Sequence, residues 1–298
     1  MHGTALHSIG ELKEEFDQLR IGKDSLLRLL EEAELPESVY NSNAIENSTL
    51  TLDETEKILF RQELPSHHSK REIFEAINLG AVTQYLDEKI RKKHALNEEL
   101  MFFIHKTLLS NINDEIAGRF RQKDEYVRVG PHIAPGPHHL PALMTDIVSE
   151  YHSAPGDPLD RIVLFHLAFE HIHPFRDGNG RVGRALLNFQ LKSHGYPPII
   201  IRNKEKQHYY EALRAYDKNQ SVKEFEHAVT PLLKESFHKR IAYLRGDEIV
   251  LLSKLAKIHP ERSPQSLANA AKQQSMPAFR ERGRWKVGKK MFEEWLES

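Results

Sequence analysis

The stretch His173-Pro174-Phe175-Arg176-Asp177-Gly178-Asn179-Gly180-Arg181-Val182-Gly183-Arg184 decides how this 298-residue chain is read. It reads as a polar loop that runs straight into an amphipathic helix, expected from Val182 to about Ser193. Gly178 and Gly180 flank Asn179, and glycine permits positive φ, so alternating signs of φ are expected to converge successive N–H groups on one point. The helix that follows adds its unpaired N–H groups and the positive end of its dipole. Arg181 and Arg184 supply fixed positive charge about one turn apart. The result is an anion cradle sized for several phosphates. Asp177 at its edge is a carboxylate suited to holding a divalent cation between phosphate oxygens. His173, just before the loop, is placed to handle a proton. Phe175 is the expected apolar anchor of the loop.

These twelve positions resemble, without departure, the signature of the Fic (Fido) family, His-x-Phe-x-(Asp/Glu)-Gly-Asn-Gly-Arg-x-x-Arg. The resemblance implies transfer of AMP from ATP, with Mg2+, to a Tyr, Thr or Ser hydroxyl of a target protein. It implies that His173 is the base, that Asp177 positions Mg2+, and that Gly178, Asn179, Gly180, Arg181 and Arg184 hold the triphosphate. It also gives meaning to Ser42-Asn43-Ala44-Ile45-Glu46-Asn47. Ser42, Glu46 and Asn47 are similar to the family's inhibitory motif, (Ser/Thr)-x-x-x-Glu-(Gly/Asn), in the class whose inhibitory helix precedes the core. Glu46 paired with Arg184 would occupy the arginine meant for the γ-phosphate.

Composition sets the broad class. Lys+Arg number 42 against 43 Asp+Glu, a net charge of −1, so no global field draws the chain to nucleic acid or membrane. There is no cysteine, which excludes disulfide and thiol chemistry and fits a reducing cytoplasm. No apolar run approaches the roughly 18 residues of a membrane span, so no membrane partner is expected.

Apolar spacing then predicts helices over 9–33, 38–47, 69–92, 97–109, 141–152, 159–171, 206–217 and 222–244. Thr51-Leu-Asp-Glu54 reads as a capping box opening a further helix. Between residues 117 and 141 the helical pattern stops. Tyr126 to Val129 alternates like a strand, and Gly130-Pro131 follows, so a β-hairpin is expected. In the family the corresponding hairpin is the flap over the nucleotide, which makes Val127, Arg128 and Val129 nucleotide-side residues. An exposed edge there could hold an extended target segment by strand addition, the chain's own included. The helix bearing Tyr209 and Tyr210 resembles the family's adenine-side helix, with Tyr210 favoured as the aromatic wall and Asp217 at a further adenine-side position. His166, Glu170, His171 and His173 do not have a zinc-protease spacing and are not read as a metal site.

Residues 251–298 carry ten Lys/Arg against five Asp/Glu. Two short helices there, a basic segment from Arg280 to Val287 and a last helix resemble a winged-helix-like module. DNA contact through 251–298 and a homodimer are both open to it. The expected architecture is all-α: a Fic-type helical bundle with a β-hairpin flap, plus the small C-terminal module. The expected divisions are 1–94 with the inhibitory helix at about 38–47, a catalytic core at 95–232, and the module at 245–298. Two other readings stand beside AMP transfer: removal of AMP, and a nucleotide-sensing DNA-binding regulator.

Overall fold

The computed structural model describes residues 3–297. In chain order the elements are α1 (Gly3–Leu19), α2 (Asp24–Ile45), α3 (Leu52–Arg61), α4 (Lys70–Arg91), α5 (Glu98–Leu109), β1 (Arg128–Val129), β2 (His132–Ile133), α6 (Leu140–Ser153), α7 (Pro158–Ile172), α8 (Asn179–Ser193), α9 (Lys206–Asn219), α10 (Lys223–Leu244), β3 (Ile249–Leu251), α11 (Leu252–Ile258), α12 (Pro264–Gln273), β4 (Ala278–Glu281), β5 (Arg284–Gly288) and α13 (Lys289–Glu297). The chain divides into two compact units, 35–226 and 1–34 with 227–298, and the divisions fall inside α2 and α10. Among the described residues no helix is long and apolar enough to cross a membrane.

Unit 35–226 is a helical bundle. Helix α8 packs on α7, α4 and α5, while α7 also meets α6 and α9. Its core includes Phe165, Leu167, Phe169, Phe175, Val182, Leu186 and Phe189, each buried. Local chemistry fixes where the helices begin. Thr51 and Glu54 cap α3 reciprocally, as the spacing predicts, and Ser69 with Glu72 does the same for α4. Asp157 accepts from Leu159 N–H at the start of α7, with Pro158 following it.

Several helix boundaries differ from the sequence reading: the helix expected over 9–33 is broken after Leu19, where Gly22 takes φ 73°, and resumes at Asp24 as α2. The expected break between 33 and 38 is absent, and α2 runs through Pro36 to Ile45. A proline inside a helix costs about 3 kcal/mol. Leu35, Val39, Ala44 and Ile45 are all buried on that segment, and full burial of one large aliphatic side chain contributes about 1.5–3 kcal/mol, so packing outweighs the lost backbone bond. Helix α8 begins at Asn179, three residues before the expected start.

The unit of 1–34 and 227–298 contains a three-stranded antiparallel sheet in the order β3-β5-β4. Helices α11 and α12 lie between β3 and the β4–β5 hairpin, an order that has the form of a winged helix. The segment read as merely basic, Arg280 to Val287, is this hairpin, with Arg282 and Gly283 at positive φ in its turn. Leu252, Leu255, Leu267, Phe292 and Val287 form its core. Buried Glu34 is held down to about pKa 2: burial would raise it, but Arg240 and Lys239 at 2.6 and 3.0 Å outweigh that.

Candidate active site

Helix α7 delivers His173 as its left-handed C-cap, at φ 51°. Its Nδ1–H donates to the carbonyl of Glu170 at 2.9 Å. That bond fixes the tautomer and leaves Nε2 as a free lone pair. Burial lowers the pKa of His173, so the ring is neutral at pH 7. The turn around it is held by Arg121, buried, whose guanidinium donates to the carbonyls of His173 at 2.7 Å, Ile172 at 3.2 Å, Pro135 at 2.9 Å and Glu125 at 3.0 Å.

The loop is pinned from below. Phe175 is fully buried and its ring stacks on His105, with centroids 3.8 Å apart. His105 accepts from Gly118 N–H at Nδ1 and donates from Nε2 to the Asp177 carbonyl, both at 3.0 Å. Asn179 accepts from Phe175 N–H and donates to Phe175 C=O, both at 2.8 Å. Its side-chain amide is thereby committed to the loop, so what it can offer an anion is its backbone N–H, a narrower role than the sequence suggested.

The glycines also act differently from expectation. Gly178 has φ 81° and needs the left-handed region. Gly180 lies in the first turn of α8 and does not. What Gly180 requires is space: a Cβ there would lie 2.3 Å from Glu46 Oε1 and 2.9 Å from Arg184 Nη1. The alternation of φ is therefore replaced by one left-handed residue followed by a helix N-terminus, which still directs N–H groups toward the loop.

Both arginines point into a web of carboxylates. Arg184, buried, donates from Nη2 to Glu46 Oε1 at 2.9 Å and to the Ser42 carbonyl at 2.8 Å, and from Nε to Ser42 Oγ at 3.0 Å. Ser42 and Glu46, four residues apart, thus meet one guanidinium. Burial opposes the charge on Arg184, but Glu46 and the groups around it raise its pKa above the usual value. Glu46 sits in the turn after α2, closed by Asn47 at φ 69°. Asn47 Oδ1 accepts from Lys206 Nζ at 3.4 Å. Arg181 lies 3.0 Å from Glu75 and 3.6 Å from Asp177. Arg71 donates to both Asp177 and Glu75. Burial would raise the pKa of Asp177, but Arg181 and Arg71 hold it below the usual value.

Beside these groups lies a cavity of about 670 Å³, lined by Glu46, His173, Asp177, the 178–181 loop, Arg184, Tyr210, Asp217 and the flap residues Val129 to Pro131. The hairpin is present, shorter than the expected strand: Arg128 pairs with Ile133 and Val129 with His132. Val127 lies just before it and accepts from Ala134 N–H at 3.1 Å. Tyr210 is part-buried and donates to the Ile45 carbonyl at 3.1 Å, whereas Tyr209 is buried among His166, Glu170 and Phe225. His166 donates from Nδ1 to Gly183 C=O, so its Nε2 accepts from Tyr209. Burial raises Glu170 to about 7, which keeps its carboxyl protonated in slightly acidic solution.

Residues 95–191 match the model of the Fic/DOC family. The chain carries a Fic/DOC-family domain. Curated relatives agree: the protein adenylyltransferase Fic of Drosophila melanogaster is 31% identical over 212 residues, and that of Drosophila virilis 30%. These alignments cover 70% of this chain, but only 42% and 43% of the relatives' own lengths. Among solved structures, a Fic-domain-containing signaling protein from Bacteroides thetaiotaomicron matches with a TM-score of 0.73 at 25% identity, over 80% of this chain and 97% of that one. Fic-1 (residues 134–508) from C. elegans matches with a TM-score of 0.70 at 28% identity, over 80% of this chain and 70% of that one.

The Fic domain owes much of its geometry to residues that the motif does not contain. Arg71, Glu75, His105, Arg121 and Glu170 had no role in the sequence reading. Arg71 and Asp177 are 106 positions apart, and no local pattern links them. Glu170 did carry a signal. A carboxylate on the apolar α7 must either be paired or take up a proton.

Proposed function

We propose that this chain is a protein adenylyltransferase restrained by its own Glu46. The observation that carries the reading is the pairing of Arg184 with Glu46 and Ser42, beside a His173 whose Nε2 is a free base. In the reaction a hydroxyl of a target protein attacks the α-phosphorus of ATP. Its proton passes to His173 Nε2. A new P–O bond forms, the bond to the β-phosphate breaks, and pyrophosphate leaves with the electron pair. Backbone N–H groups at Asn179 and Gly180, with Arg181 and Arg184, stabilise the phosphate charge by position alone.

The Asp177 carboxylate faces the cavity and is one-third exposed. One carboxylate plus substrate phosphates is the donor set Mg2+ commonly takes, so the residue fits that ion once Arg71 gives way. Mg2+ held there would offset phosphate charge. Tyr210 forms an aromatic side of the base pocket. Residues 127–129 have an exposed edge at Arg128 and Val129 on which an extended segment of a target, or of another copy of this chain, could add as a strand.

While Glu46 holds Arg184, the γ-phosphate lacks its partner and meets a carboxylate, so bound ATP is misplaced for in-line attack. The test is label incorporation from α- and γ-labelled ATP by wild type, Glu46→Gly and His173→Ala. Label from the α-position alone, raised by the glycine and abolished by the alanine, supports the reading. Label from the γ-position refutes it, and release of AMP from a modified protein favours the AMP-removing alternative.

The winged-helix form supports a second role, DNA contact. Helix α12 turns Gln265, Ser266, Asn269, Lys272 and Gln273 to solvent, and Arg282 and Arg284 stand exposed at the hairpin tip. Polar side chains that can read base edges, beside arginines for phosphate, suit a duplex. Fluorescence anisotropy with a duplex of mixed sequence should show salt-dependent binding that weakens in Lys272→Ala and Arg284→Ala. No binding at low salt would remove this role.

A further inference from the structure

We propose that His132, His171 and Asp217 form a binding site for a borderline divalent cation of the zinc class, which clasps the flap to the helical bundle. The three residues come from three elements: β2 in the flap, the last turn of α7, and α9. Their ligand atoms all lie within 4.8 Å of one another. His171 Nδ1 is 2.7 Å from Asp217 Oδ1, and His132 Nδ1 is 3.8 Å from the same oxygen. The two imidazole rings are in contact, with centroids 4.4 Å apart and planes tilted by 33°.

The hydrogen-bond pattern says which atoms are available. His132 Nε2 lies 2.8 Å from the His171 carbonyl, an acceptor only, so Nε2 carries the proton. In a neutral ring the Nδ1 of His132 is then a lone pair directed at the neighbourhood of a carboxylate oxygen. Asp217 Oδ1 already accepts from His171 Nδ1 at 2.7 Å, so an ion taking both atoms would replace that ring proton, and the His132 lone pair 3.8 Å from the same oxygen would complete the donor set. A ring N–H held by a backbone carbonyl is the support that metal-binding histidines usually have. Two imidazoles and one carboxylate, completed by a solvent ligand, are the donor set of an open zinc site and not of Mg2+, which prefers oxygen alone.

The site also answers a stability question. Strands β1 and β2 have only two residues each, and a hairpin of that size is marginal without outside contacts. Side-chain exposures of 12%, 28% and 21% for His132, His171 and Asp217 leave the group reachable from solvent yet largely enclosed. Asp217 also lines the cavity, so the ion would set how firmly the flap sits over whatever the cavity holds. The inference does not depend on AMP transfer.

The test uses the full-length chain stripped of metal, titrated calorimetrically with Zn2+ in excess Mg2+, and separately with Co2+ followed by visible absorption. The expected result is one tight Zn2+ per chain and the d–d bands of a low-coordinate Co2+ in the wild type, which needs no variant. His171→Ala and Asp217→Asn should each weaken Zn2+ at least about tenfold. Tryptic cleavage after Arg128 in the flap should slow with Zn2+ in the wild type and not in His132→Ala. The second cluster of ligand type, Glu54, His67 and His68, is the control, and His67→Ala with His68→Ala should leave the tight site intact. No tight Zn2+ in the wild type, or loss that follows His67 and His68 instead, would overturn the proposal and leave His171 and Asp217 as a hydrogen-bonded pair.

Discussion

Replacing Glu46 by glutamine keeps the shape of the side chain and removes its charge, which isolates the restraint on Arg184. The guanidinium makes one bond to Glu46 at 2.9 Å and two to Ser42. Arg184's side chain is 7% exposed and that of Glu46 39%, so water screens the carboxylate end. A charge-assisted bond discounted for that exposure is worth about 1–2 kcal/mol. At 1.4 kcal/mol per factor of ten, releasing it makes Arg184 about 5–30 times more available to a phosphate. Removing the repulsion between Glu46 and the triphosphate adds to this, so about fivefold is a lower estimate for the gain in transfer rate. The assay is the initial rate of AMP incorporation at subsaturating ATP. Glu46→Gly should match or exceed glutamine, and Ser42→Ala should give less, because the bond to the Ser42 carbonyl survives. A glutamine variant within twofold of wild type, with ATP affinity and fold unchanged, would refute the reasoning.

Three further outcomes follow from the site. His173 has a lowered pKa, so the transfer rate of Glu46→Gly should hold as pH falls through the ordinary imidazole value of about 6.5 and decline only below it; a decline starting above 7 would contradict the neutral base. Glu170 has a folded pKa raised to about 7, so its protonated form contributes stability that is complete below about 4.5 and lost as pH rises to about 7, roughly 3 kcal/mol in all. Buried His166 and His173 oppose this trend, so the measurement is the difference in unfolding free energy between wild type and Glu170→Gln across that window. Phe175→Ala removes a fully buried ring stacked on His105 and should cost about 3–5 kcal/mol in chemical denaturation, with loss of the ordered loop.

The sequence exposed what is encoded locally. The motif spacing of residues 173–184, the capping box at Thr51 and the four-residue separation of Ser42 from Glu46 each have a short-range physical cause, and each can be read from a few adjacent letters. What was hidden depends on distant packing. Arg71 reaches Asp177, and Arg121 collects carbonyls from two loops, through contacts that no window of sequence contains. Asn179 illustrates a subtler limit: its presence in the loop was legible, but whether its amide served a ligand or Phe175 was decided by the turn. The break expected between 33 and 38 is absent because the local penalty of Pro36 is outweighed by burial along the rest of α2. The basic segment at 280–287 concealed a hairpin because its charges dominated a pattern only four or five residues long on each strand.

The most direct test of the account is intact-mass spectrometry of wild type, Glu46→Gly and the double variant Glu46→Gly/His173→Ala after incubation with ATP and Mg2+, alone and with a cell extract as the source of target proteins. The account predicts AMP-sized additions to the chain or to extract proteins that are scarce with wild type, abundant with Glu46→Gly and absent with the double variant. Phosphate-sized additions, or AMP additions that persist without His173, would contradict it.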